Sequence, residues 1–179
     1  MSSIIKVNTY QDANGNALFS SDGSGTVTLD SNFSGVLPSN TPAIMVRPSG
    51  TQTISNATWT KVEFSTEDSD TDSNFASHRF TPTSAGYYCV NLKVSLDELN
   101  DQKRTDIQIY KNGSGIVRDA TQASMSGGNS FVSAMISGYI VQMNGSSDYL
   151  EGYVYQDHGS NRNTRSTETF FSAYKIIGA

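Results

Sequence analysis

The run GYYCVNLKVSL, residues 86–96, constrains the chain more than any other stretch. Tyr88, Val90, Leu92, Val94 and Leu96 recur at every second position. A period of two puts them on one face of a strand, not along one side of a helix. The preceding FTPTSA supplies a proline and small polar residues, the chemistry of a turn feeding a strand. Comparable runs are AIMVRPSG, TWTKVEF, HRF, RTDIQIYKNG, GIVRDA, SFVSAMISGYIVQM, DYLEGYVYQ and TETFFSAYKIIGA, separated by turn residues. Many short strands at close spacing predict an all-β sandwich or barrel, with no βαβ units. Only DELNDQKRTDIQ has the charge density of a helix, and it becomes alternating at Ile107 and Ile109; a loop or single turn is expected there.

At 179 residues, the chain has room for one domain with a real core plus a modest extension. Residues 1–40 are rich in Gly, Ser, Asn and Asp, and Pro38 and Pro42 bracket a change of character near residue 41. The expected division is therefore 1–40, a small hairpin or attachment segment, and 41–179, the domain. Within the first part, SIIKVNTY reads as a short strand, and ALF and TVTL flank SSDGSG as a hairpin. KNGSG (111–115) and MNGSSD (143–148) carry Asn-Gly pairs, the strongest short hairpin signal.

A net charge of −5, with no basic cluster longer than two residues, argues against attraction to nucleic acid or an anionic membrane. No signal peptide and no apolar stretch of membrane-spanning length is apparent, so a soluble chain made in a cytoplasm is expected. The Asn-x-Ser/Thr sequences at Asn32, Asn56, Asn112 and Asn144 then carry no weight. Cys89 is alone and lies on the strand face opposite Tyr88 and Val90, as packing or surface filler.

Residues suited to chemistry are sparse. His78 and His158 have no Cys partner and no metal-ligand spacing, and each reads as a surface residue beside a turn. Neither a nucleophile elbow, a phosphate loop nor a dinucleotide fingerprint occurs. No cofactor is expected. In STEDSDTDSNF (65–75), Asp68, Asp70 and Asp72 suit a calcium loop by their oxygen ligands, but the glycine and distal glutamate of an EF-hand are missing, and a solvated loop is the competing reading. Tyr149, Tyr153 and Tyr155 share a face with Glu151, an arrangement that serves subunit packing or saccharide contact.

Phe64, Asp70, Phe75, Phe80, Gly86, Tyr88 and Val90 fall in an order and spacing that resembles the globular head domain of complement subcomponent q, a family with the jelly-roll fold of tumour necrosis factor (TNF). Phe75 to Phe80 is two residues shorter than in that family, and Val90 and Leu92 stand where it has aromatic residues. KNG, SFVSAMISGYIVQM and FFSAYKII are similar to its later landmarks. The resemblance spans about residues 42–179 and implies a ten-stranded jelly roll assembling as a homotrimer. It also implies that Phe64, Phe75, Phe80, Tyr88, Val90 and Leu92 lie in the core, with Phe171 beside them. IIKVNTYQDANGNALFSSDGSGTVTL is similar to the starts of structural proteins of marine bacteriophages.

In SFVSAMISGYIVQM, strict alternation puts Phe131, Met135, Tyr139, Val141 and Met143 on one face and Val132, Ala134, Ile136 and Ile140 on the other. Both faces are apolar, and one of them is expected to meet another subunit. The interface-or-core set is therefore Phe131, Met135, Ile136, Tyr139, Ile140, Tyr153, Tyr155 and Phe171, while Ile4, Ile5, Val7 and Tyr10 are the candidates for docking to other virion proteins. The functional expectation is a non-enzymatic virion protein: a trimeric tail-fibre, spike or capsid-fibre component that attaches to the particle or meets a host surface glycan or protein. The alternatives are a glycan depolymerase using a carboxylate pair and a capsid decoration protein with no host-binding role.

Overall fold

The computed structural model describes residues 9–29, 40–123 and 130–177, with the backbone alone at 98, 130 and 131. The chain divides into two compact units, Met1–Ser39 and Asn40–Ala179. Ile4, Ile5 and Val7 lie outside the described residues. Among the described residues every regular element is a strand.

The first unit is an antiparallel sheet of β1 (Thr9–Gln11), β2 (Ala17–Ser21) and β3 (Val27–Leu29). ALF and TVTL do pair across SSDGSG, with Phe19 opposite Leu29 and Ser21 opposite Val27. Tyr10 stacks on Phe19 with ring centroids 4.2 Å apart. Each turn is tied by its own aspartate. Asp12 Oδ1 accepts the Asn14 and Asn16 N–H groups. Asp22 Oδ1 accepts those of Ser24 and Thr26, and the Ser24 hydroxyl helps to hold the Asp22 carboxyl at about 2. No residue of these strands is buried, so the sheet is held by local bonds and has no core of its own.

The second unit is a sandwich. Its five-stranded sheet has the order β13 (Ser130–Asn144), β10 (Ala85–Leu99), β16 (Phe170–Lys175), β4 (Ala43–Arg47) and β7 (Thr66–Asp70). Its six-stranded sheet runs β12 (Ser114–Gln122), β11 (Arg104–Lys111), β14 (Leu150–Gln156), β9 (Arg79–Phe80) and β8 (Phe75–Ala76), with β6 (Thr60–Lys61) also against β14. The short β5 (Thr53–Ile54) and β15 (Arg162–Asn163) pair separately. All these pairings are antiparallel, and after the β11–β12 hairpin the chain crosses between sheets on entering β13, β14 and β16.

The inner faces follow from the period of two. Tyr88, Val90, Leu92, Val94 and Leu96 are all buried and share one core with Ile107, Ile109, Leu150 and Val154. Phe64, Phe75, Phe80 and Phe171 are buried with them. The Phe64 and Phe171 rings lie 5.8 Å apart, and Phe80 meets Tyr88 edge-on at 5.7 Å. Burial, helped by the charge of Asp72, pushes the Tyr88 hydroxyl up to about 12, and the group donates to the Ser84 carbonyl at 2.8 Å. Gly152 lets the layers close here: a Cβ would stand 2.9 Å from Leu92 Cδ1.

Three stretches differ from the sequence reading. DEL in DELNDQK ends β10, and β11 starts at Arg104 after a turn with Gln102 at φ 59°. TEDSD forms edge strand β7 against β4, not a loop. Asn112-Gly113 does make the β11–β12 hairpin, both residues having positive φ. Asn144-Gly145 instead starts a connection between β13 and β14, which lie in different sheets. The Asn144 side chain accepts the N–H groups of Ser146, Ser147 and Asp148, so its turn chemistry is spent on a crossing.

Candidate functional site

The outward face of the five-stranded sheet is the main departure from an ordinary water-facing surface. Ile140 of β13, Cys89 of β10, Tyr174 of β16 and Ala43 of β4 stand opposite one another in register. This is an uncharged row across four strands. Ile140 is 57% exposed and Tyr174 43%. Met45, Tyr87 and Met135 are further large exposed apolar side chains of the same sheet. The Tyr174 hydroxyl, hydrogen-bonded to Cys89, titrates above its ordinary value. Asn91 and Lys93 follow Cys89 on this face, with Lys93 opposite Met135, so the apolar part is the row itself; an exposed apolar patch of this kind marks an interaction surface.

A bulge decides which residues of β13 reach that face. Val90 lies opposite Tyr139, but Leu92 lies opposite Ile136, so Asn91 faces both Ser137 and Gly138. Gly138 has φ 68°, as expected of a bulge residue. Asn91 Oδ1 accepts the Gly138 N–H at 2.8 Å and the Ser137 hydroxyl at 3.2 Å. The extra residue reverses the alternation. Ala134 and Ile136 point inward before the bulge and Val141 and Met143 after it, all buried. Tyr139 is half-buried and packs against the core. Met135 and Ile140 point outward. The strict alternation that grouped Ile136 with Ile140, and Met135 with Tyr139, is therefore corrected. The Phe131 side chain lies outside the description.

Tyr153 and Tyr155 belong neither to this face nor to the buried core. They are half-buried on the outward face of the six-stranded sheet, where Tyr153 packs on Tyr110 and Tyr155 on Trp59. Between them and Tyr149, Glu151 is almost wholly buried and meets Lys61 Nζ at 2.7 Å and Arg79 Nη2 at 3.0 Å. Burial alone would raise its carboxyl, but the hydrogen bonds and charges of those cations hold it below the ordinary value. Such a carboxylate stays ionised and is unsuited to general-acid work, which requires the opposite shift.

The acidic run does not form a ligand cluster. Asp68 pairs with Arg47 at 2.8 Å. Asp70 accepts the Asn74 and Phe75 N–H groups, and Asp72 Oδ2 contacts Thr71 Oγ1. Among the described residues no three acidic, His or Cys side chains come together to hold a metal ion. A polar cleft of about 140 Å³ is lined by Ser49, Gln52, Glu63, Ser65 and His78 among others, and Glu63 is its one carboxylate among the described residues.

His158 was expected at the surface and is fully buried. Its Nδ1 accepts the Asn100 N–H at 3.0 Å, which leaves the proton on Nε2, 3.2 Å from Thr105 Oγ1. Burial and the neighbouring Arg162 charge lower its pKa against the opposing Asp157. The unfolded chain therefore takes up a proton that the folded chain refuses. Stability should be complete above about pH 6.5 and fall by up to about 1.4 kcal/mol per pH unit below it, until the depressed folded pKa is reached. Urea midpoints between about pH 7 and 5 measure this, and a His158→Gln variant should lose that part of the slope.

No family model and no curated protein matches the sequence. Solved structures do match. The Eiger TNF of S. frugiperda superposes with a TM-score of 0.57 at 13% identity, over 79% of this chain and 96% of that one. The globular domain of zebrafish complement 1qA gives 0.56 at 16%, over 75% and 96%. Murine APRIL at pH 5.0 gives 0.55 at 10%, over 75% and 98%. The chain is thus an all-β protein with the jelly-roll sandwich shared by TNF-like and complement-1q-like proteins.

Proposed function

We propose that the chain is a non-enzymatic structural and recognition subunit of a bacteriophage particle. Three copies assemble through the outward face of the five-stranded sheet. Residues 1–39 attach them to other virion proteins, and the assembly serves as a tail-fibre, spike or capsid-fibre component whose outer surface meets a host glycan or protein. The subunit is made in the bacterial cytoplasm and resides in the virion. The observation that carries the reading is the uncharged row Ile140, Cys89, Tyr174 and Ala43, with Met135 and Met45 near it. The jelly-roll likeness supports a threefold assembly, and the similarity of the N-terminal stretch to phage structural proteins supports the location. Engaged, ionised carboxylates favour a binder over a depolymerase. Sedimentation equilibrium tests the assembly: three times 19.3 kDa is expected, and a stable monomer at micromolar concentration overturns it.

The N-terminal unit offers a separate test of attachment. Tyr10, Phe19 and Leu29 stand opposite one another on one face of its sheet, and Tyr10 is exposed. With none of its strand residues buried, this sheet is suited to completion by a partner. Deleting residues 1–39 should leave a folded trimer whose Tm moves by no more than a few degrees, while incorporation into particles disappears. Unfolding of the truncated chain defeats the attachment role.

A further inference from the structure

The outward face of the six-stranded sheet inverts the charge balance of the protein. Asp106 is fully buried on β11, with Arg118 Nη2 hydrogen-bonded to Oδ2 and Arg104 Nε 3.1 Å from Oδ1. Glu151, on the neighbouring strand, is held in the same way by Lys61 and Arg79. The centre of the face thus sets four cations around two anions, on a chain of net charge −5. The carboxylates are 0% and 4% exposed, while the Arg104, Arg118 and Arg79 side chains are 48%, 43% and 41% exposed. The acids are sunk and the guanidinium groups face water.

Those guanidinium groups are also held in place. Arg79 lies 3.6 Å over the Tyr149 ring, and Arg104 and Arg118 lie 5.6 Å over Tyr155 and Trp59. Trp59 and Tyr155 are 5.6 Å apart, and Tyr110 packs on Tyr153 at 4.1 Å. Asp157 accepts the Arg104 backbone N–H and keeps its negative charge beside that residue, and Lys111 pairs with Asp148. A guanidinium fixed by a ring and a buried carboxylate loses little freedom on binding a further anion, and its five donors exceed what one carboxylate takes.

We propose that this face, centred on Trp59, Tyr155, Arg104 and Arg118, binds an acidic glycan. Sugar rings lie against the aromatic side chains while the carboxylate or sulfate groups they carry meet the arginines. A single-stranded nucleic acid is the competing polyanion, and the oligothymidylate arm of the test below separates the two. This inference deepens the recognition role proposed above and rests on it.

Calorimetric titration of the full-length protein with alginate oligosaccharides tests it, with neutral dextran and oligothymidylate as comparison arms. Alginate should bind, and more weakly at about 200 than at about 50 mM NaCl. The double variant Asp106→Asn/Arg118→Gln removes a buried charge together with a partner, so no new unpaired carboxylate is created. It should bind at least about tenfold more weakly, with unchanged sedimentation. If that variant fails to fold, Arg118→Lys keeps the ion pair but not the planar fork, and should weaken binding about threefold or more. Absent alginate binding, equally tight dextran or oligothymidylate binding, or a folded variant with unchanged affinity overturns the site. A trimer that does not bind alginate removes the glycan site alone; a monomer that binds it removes the assembly alone.

Discussion

Replacing Ile140 by aspartate is expected to convert the proposed assembly of three chains into single folded chains. In the isolated subunit the side chain faces water, so a carboxylate there leaves the sandwich intact. In the proposed assembly the same position lies at the contact, in the uncharged row with Cys89 and Tyr174. Burying a carboxylate there without a partner costs several kcal/mol in each of three contacts. The loss of mass in sedimentation should therefore be complete at micromolar concentration, while the strand signal in circular dichroism stays. Ile136→Asp is the contrasting variant: Ile136 is only 6% exposed and lies inside the sandwich, so this change should unfold the chain itself. If Ile140→Asp sediments as the unmodified protein does, assembly runs through another surface.

Phe171→Ala should be the most damaging truncation of a single core side chain. Phe171 lies opposite both Leu92 of β10 and Val46 of β4, at the middle of the five-stranded sheet, and its ring packs on Phe64 of the connection between β6 and β7. Loss of a buried phenylalanine costs about 3–5 kcal/mol, transfer and cavity terms together. A folded domain typically has only about 5–15 kcal/mol in all. The urea midpoint should drop by a third or more, and Tm by about 10 °C. Tyr153→Ala, which removes a half-buried ring from the outward face of the other sheet, should cost less than half as much. Equal losses from the two variants contradict the placement of the core.

The strand content and the inner faces were legible in the sequence because a period of two survives in any strand with one buried side. Tyr88 to Leu96 is the clearest instance. The order of Phe64, Phe75, Phe80 and Tyr88 carried the resemblance to the complement-subcomponent-q head, and the jelly roll was what that resemblance implied. The outward row was hidden because its members come from four strands and align only through register. Arg104, Asp106, Gln108 and Tyr110 do alternate in RTDIQIYK, and that pattern was the available signal for the charged face; the run was read as a strand from Ile107 and Ile109, and its polar face was not followed. His158 could not be placed from sequence at all, since its burial depends on Asn100 and Thr105, more than fifty residues away.

The bulge at Ser137 and Gly138 acts as a phase shifter for the strand. On one side of it the odd-numbered Met135 looks out; on the other the even-numbered Ile140 does, and a single amide, Asn91, pins the change of parity. Removing one residue there would restore unbroken alternation with Ile140 still opposite Cys89 and facing out; straightening the strand with both residues kept would instead turn Ile140 inward or drive the Tyr88–Val141 ladder out of step. The bulge therefore carries information that composition does not: a chain of the same length running straight through this stretch would expose a different set of side chains to its neighbours, and would share the sandwich without sharing the partner.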